Sequence, residues 1–147
     1  MTAQAISASV VTCPHCGHRN RVAAAATGIP RCGHCQQPLP WIAAADDDTF
    51  GEVADTASLP VVVDLWAPWC GPCLLVSPVL EQVATDLAGR IKLVKVNVDT
   101  APRLQQRFAV QAVPTLLVLR HGRVSARRSG AGPAAELRAW AEAAIGS

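Results

Sequence analysis

The hydrophobic pattern changes period along the chain, and the changes mark its elements. Residues 61–66 form a nearly continuous apolar, β-branched run broken only by Asp64, as expected of a strand covered on both faces. Leu75, Val79, Val83 and Leu87 then recur at helical spacing, with Leu80 on the same broad face. They predict a helix that Pro78 kinks and Gly89 stops. Residues 91–98 read as a strand, 103–108 as a short helix and 115–119 as another strand. His121-Gly122 makes a hairpin turn into residues 123–128, and Pro133 opens a last helix to about residue 145. Further upstream, Leu39, Trp41 and Ile42 suggest a short first strand. Asp46, Asp47 and Asp48 offer an N-cap and first-turn acids for a helix over 46–57, although Thr49 and Gly51 are poor helix formers. This order predicts an α/β fold in which helices flank both faces of a central mixed sheet.

The first 38 residues follow a different pattern. Residues 1–12 read as a loose leader of small and polar side chains, residues 13–35 hold two cysteine knuckles, and Pro38 and Pro40 link to the main domain. The expected division is therefore 1–38 and 39–147. A length of 147 residues suits one compact domain with a small appendage, and 50% hydrophobic residues suffice for a core without disulfide staples. The net charge of +2 argues for neither nucleic acid nor a membrane surface. No apolar run approaches the roughly 18 residues that cross a bilayer. The leader lacks the basic start and apolar stretch of a secretory signal, so a cytoplasmic address is expected. In that reducing compartment, metal binding or redox catalysis is a better expectation for six cysteines than structural disulfides.

All six cysteines fall in Cys-x-x-Cys pairs, in two contexts. Cys70 and Cys73 stand between the strand 61–66 and the helix after it. There the free N–H groups and positive dipole end of the helix favour a thiolate on Cys70, the more exposed of the two. Cys70 is the expected nucleophile, forming a mixed disulfide with a substrate that Cys73, about one turn along, resolves. Gly71-Pro72 allows the tight turn while restricting the loop. Cys13, Cys16, Cys32 and Cys35 form two knuckles with fifteen residues between them. That spacing suits four thiolates around one zinc ion in a small ribbon. Cys-Pro-His-Cys and Cys-Gly-His-Cys also occur as redox motifs, but they then need a strand before, a helix after and a domain behind. His15, His18 and His34 are expected to be solvated or to lie outside the ligand set. A segment this small draws most of its order from metal. It is expected to tune partner choice or stability rather than the exchange chemistry, and strong oxidants should eject the metal from its thiolates.

The stretch from Asp64 to Cys73, Asp-Leu-Trp-Ala-Pro-Trp-Cys-Gly-Pro-Cys, resembles the active-site segment of the thioredoxin family. The likeness continues through Val113-Pro114-Thr115, Arg120-His121-Gly122 and Ser129-Gly130-Ala131, covering about 41–145. With the knuckles in front, the chain resembles the zinc-bearing bacterial type of that family. The resemblance implies a thioredoxin fold and protein-disulfide reductase activity at a potential near roughly −270 mV. It implies recharging by an NADPH-dependent thioredoxin reductase, which would carry the nicotinamide and flavin, so that this chain binds neither. By the same resemblance Asp64 is the buried carboxylate that exchanges a proton with Cys73, and Lys95 is its partner. Strand-end and solvated roles for the two stay open. Pro114 matches the family's cis-proline, with Val113 offering backbone to an extended substrate. Trp69 would be a partly exposed contact, while Trp66 is packing or functional. Gly130 would admit a bound chain closely or simply form a turn. Two departures stand out. Leu74 replaces the Lys or Arg that often follows the second cysteine, and Leu65 replaces the usual Phe.

The expected partners are disulfide-bearing proteins and the reductase, with the chain a monomer. The rival readings are an adapter or a zinc- and redox-switched chaperone, and an oxidase or isomerase. Arg19, Arg21 and Arg31 are the only formal cations around the knuckles, too few for a nucleic-acid grip.

Overall fold

A computed structural model describes residues 8–26 and 28–146. Its main body is a five-stranded mixed sheet in the order β3-β5-β4-β6-β7. The strands are β3 (Ile42–Ala44), β4 (Val61–Trp66), β5 (Lys92–Asn97), β6 (Thr115–Arg120) and β7 (Arg123–Ser129). β5 runs parallel to β3 and β4, while β6 is antiparallel to β4 and β7 to β6. β4, at the centre, is buried along Val61 to Leu65, in keeping with its continuous apolar run.

Three helices accompany the sheet: α1 (Gly71–Asp86), α2 (Pro102–Arg107) and α3 (Ala134–Gly146). α1 and α3 cover one face, where Val76, Leu80, Val83, Leu137 and Ala141 pack on Val62, Leu93, Leu116 and Val118. On the other face Phe50, Val53, Leu104 and Phe108 pack on Val63, Leu65, Val94, Val96 and Leu117, in a cluster that also holds Cys70 and Cys73. This is the thioredoxin fold the sequence predicts, a mixed sheet with helices on both faces.

Four local expectations are corrected. The leader is not loose over the residues described: β1 (Ala8–Thr12) pairs antiparallel with β2 (Arg19–Ala23) into a hairpin that carries the first knuckle. Positions 1–7 of the expected leader lie outside the described residues. The first strand of the main sheet is displaced to Ile42–Ala44, because Leu39 and Trp41 are buried in the junction with the hairpin. The helix expected over 46–57 reduces to a short wide turn, with a π-helical stretch at Gly51–Asp55. Asp46 caps this turn as expected, its Oδ1 accepting from the N–H groups of Asp48 and Thr49. Asp47 accepts from the N–H groups of Arg103 and Leu104 at 3.0 and 2.9 Å, capping α2 instead.

The fourth correction concerns one residue of the apolar face of α1: Leu80, Val83 and Leu87 are buried and Val79 packs on the core as expected, but Leu75 points outward and Val76 takes its place. Val76, Leu80, Val83, Ala84 and Leu87 are buried, whereas Leu75 is 75% exposed. The helix starts at Gly71 and continues past Pro78, so its phase is set by Cys73 facing the core. Gly89 follows the helix with φ +84°, and a Cβ there would meet the Pro38 ring at 2.8 Å. A side chain at 89 would push the linker away from the body.

Candidate functional site

Cys70 is the N-cap of α1, and its Sγ accepts from the Cys73 N–H at 3.2 Å. The two sulfurs form a disulfide. Both residues are nearly covered, Cys70 at 4% exposure and Cys73 at 2%, so the expected difference between them is slight. Gly71 and Pro72 occupy the exposed first turn. There Pro costs no hydrogen bond, because first-turn N–H groups have no helical partner.

The backbone facing this turn comes from the loop before β6. The Val113–Pro114 peptide is cis, and the Val113 carbonyl oxygen lies 3.7 Å from Cys70 Sγ. Gly130, with φ +85°, donates its N–H to the Pro114 carbonyl at 2.9 Å and has open space where a Cβ would stand. Trp69 is 71% exposed and donates Nε1–H to Asp99 Oδ1 at 3.2 Å. A cleft of about 160 Å³ runs from Trp69 past Asp99, Gln105 and Gln111 to Val113. Trp66 is half-buried and packs against the cluster that holds the two cysteines. Leu74, beside Cys73, is exposed, so the rim is apolar as the sequence suggested.

Asp64 sits in central β4 at 1% exposure, and neither of its carboxylate oxygens has a hydrogen-bond partner among the described residues. Burial pushes this carboxyl up to about 6, against the pull of Lys95 and with a further push from Glu81. Lys95 is its register neighbour on β5, yet its ammonium donates to Ser77 Oγ and lies 3.7 Å from Glu81 Oε2. Lys95 thus acts on Asp64 through charge and leaves the carboxylate unpaired. A buried, unpaired carboxyl with a pKa near neutrality suits proton transfer.

The remaining cysteines meet elsewhere. The Sγ atoms of Cys13, Cys16, Cys32 and Cys35 all lie within 4.8 Å of one another. The Cys13–Cys35 and Cys16–Cys32 sulfurs are each 3.6 Å apart. Four sulfurs at about 2.3 Å from a tetrahedral metal stand about 3.8 Å apart, so the set fits one such ion. Burial pushes the Cys32 thiol up, but the N–H groups of Cys35 and His34 and the Asn20 amide outweigh it and bring it down to about 5. Such donors suit a thiolate. None of the three histidines belongs to the sulfur group; His18 stacks on His34 with ring centroids 5.6 Å apart.

One residue escaped the sequence reading. Lys92, at 1% exposure, donates from Nζ to the carbonyls of Ala24 and Val53 and lies 3.9 Å from the centroid of the Trp41 ring. Burial lowers its ammonium to about 8. The signal was present: in an extended strand, Lys92 and Lys95 are an odd number of residues apart and must face opposite ways.

A redox-active pair of cysteines at a helix N-terminus, beside a cis-proline loop and following a strand that holds a buried carboxyl, defines a thiol–disulfide exchange site. Residues 41–143 match the family model described as Thioredoxin. The thioredoxin of Haemophilus influenzae is 41% identical over 92 residues, which cover 63% of this chain and 86% of that protein. Thioredoxin 1 of Chlorobaculum tepidum is 42% identical over 98 residues, covering 67% and 97%. Thioredoxin C-3 of Corynebacterium nephridii is 34% identical over 134 residues, covering 89% and 92%. This last match is too long to be confined to the main domain and takes in part of the N-terminal segment. The chain belongs to the thioredoxin family. It is a thiol–disulfide oxidoreductase.

Proposed function

We propose that the chain is a protein-disulfide reductase of the zinc-bearing type, acting in the cytoplasm. The observation that carries this reading is the Cys70–Cys73 pair at the N-terminus of α1, with the Val113 carbonyl 3.7 Å from Cys70 Sγ. In the reduced chain, the Cys70 thiolate attacks one sulfur of a substrate disulfide and expels the other as a thiolate, leaving a mixed disulfide. Cys73 gives its proton to the Asp64 carboxylate and attacks Cys70 Sγ, which releases the second substrate sulfur. Two electrons pass to the substrate, and Cys70–Cys73 closes. Val113 and Gly130 offer open backbone along the path of an extended substrate, and Trp69 covers one side. Electrons return from NADPH through a thioredoxin reductase, so no nicotinamide or flavin is bound to this chain.

Cys13, Cys16, Cys32 and Cys35 hold one zinc ion, which orders the N-terminal segment and takes no part in exchange. The sulfur spacing and the donors around Cys32 support that assignment. Residues 1–38 and 39–147 remain the proposed division of labour.

The test is reduction of a protein disulfide coupled to NADPH and a thioredoxin reductase. Cys70→Ser should abolish turnover, and Cys73→Ser should accumulate a mixed disulfide through Cys70. Turnover by Cys70→Ser at the wild-type rate would refute the proposal.

A further inference from the structure

The buried ammonium of Lys92 has no carboxylate partner among the contacts described, an unusual situation for a charge removed from water. What replaces water is divided between two parts of the chain. The Ala24 carbonyl belongs to the segment leaving the N-terminal hairpin, and the Val53 carbonyl, at 2.6 Å, belongs to the π-helical turn. The Trp41 ring, 3.9 Å away, belongs to the linker between them. Trp41 fixes the neighbouring peptide as well, donating Nε1–H to the Ala23 carbonyl at 3.0 Å. Two successive carbonyls of the hairpin's exit are therefore held by side chains of the linker and of the main sheet. Ala24 packs in the same cluster as Phe50, Val53, Cys70 and Cys73.

We propose that Lys92 is a latch that makes docking of the N-terminal hairpin and packing of the 50–57 turn one cooperative unit. A lysine ammonium has three donor positions and no acceptor. Each carbonyl it holds is part of the replacement for the water it gave up, so losing either contact weakens the case for keeping the charge buried. Opening the hairpin removes the Ala24 carbonyl, admits water to Nζ and frees the Val53 carbonyl in the same event. Apolar contacts alone would let the two segments open separately. The four-cysteine segment is thereby felt in the core that carries the redox pair, rather than hanging as an independent module.

Amide hydrogen exchange on the zinc-replete full chain tests this, following peptides over 19–26, 50–57 and 76–86. Lys92→Met should raise exchange over 19–26 and 50–57 together, by about tenfold or more, and leave 76–86 unchanged. Trp41→Phe leaves an aromatic ring but removes the bond to Ala23. With Lys92 in place it should speed exchange over 19–26 and 50–57 together, and a rise over 19–26 alone would overturn the latch. A response of only one segment to Lys92→Met, no response, or a uniform rise over all three would overturn the proposal. Should Lys92→Met fail to fold, the wild-type chain gives the answer in urea below its unfolding transition. The two segments should then open with one common urea dependence, and separate dependences would overturn the latch.

Discussion

The four-cysteine segment and the redox turn are built from the same Cys-x-x-Cys spacing, yet their surroundings differ at every level. In the N-terminal segment the two pairs converge, so that four sulfurs lie within 4.8 Å and each has thiol neighbours. At the redox turn Cys70 and Cys73 have only each other as sulfur neighbours, at the start of a sixteen-residue helix, with the cis-proline loop on one side. Central β4, the strand that leads into the redox turn, carries a buried carboxyl. The N-terminal segment presents its cysteines on tight turns, and in the second of them backbone N–H groups point at Cys32 Sγ. Spacing selects a ligand pair or a dithiol only together with the backbone behind it.

The largest effects should separate the two regions outright. Cys70→Ser should abolish disulfide reduction with metal content unchanged. Cys32→Ser should lose metal and hairpin order while the Cys70–Cys73 exchange persists. Metal analysis and a reduction assay on both variants check this, and loss of both properties in either one would break the contrast.

Asp64→Asn sharpens the comparison on the redox side. The native carboxyl titrates at about 6 against a reference value of 3.8, so the fold penalises the charged form. That penalty is absent below about pH 4, grows between the two pKa values and is full above about 6. The Asn variant should therefore be more stable than wild type at pH 7 by roughly 3 kcal/mol, with the gain vanishing near pH 4. Urea unfolding across that range reads it. The same variant should resolve mixed disulfides more slowly, so the more stable protein is the poorer catalyst.

Smaller effects probe the supports. Asp47→Ala removes the cap of α2, outside both cysteine regions, and should cost about 1 kcal/mol with activity intact. Leu75→Ser, on the exposed side of α1, should change stability by no more than about 0.5 kcal/mol. Thermal melts distinguish both from the larger changes above.

Much of this was legible in the chain itself. The continuous run of β4 predicts a central strand because burial on both faces leaves no polar alternation, and Asp64 stands out against it for the same reason. The turn at His121-Gly122 and the start of α3 after Pro133 follow from local backbone preference. What escaped depends on tertiary contact. Asp47 looks like a cap for the residues that follow it, but its carboxylate reaches a helix more than fifty residues away. Leu75 and Val76 are both apolar, and only the placement of Cys73 in the core decides which turns inward. The pairing of residues 8–12 with β2 lacks a strong alternation, since four of the five are exposed. Lys92 was hidden by its neighbour Lys95, because a solvated lysine and a buried one look alike until the carbonyls that replace water are known.

The central claim is that six cysteines divide into one working dithiol and one metal site. A native mass spectrum of the zinc-replete, reduced protein before and after mild oxidation tests it most directly. The account predicts that two hydrogens are lost while the metal is retained. Loss of the metal together with further hydrogens would place the four N-terminal cysteines in the redox chemistry and contradict the division.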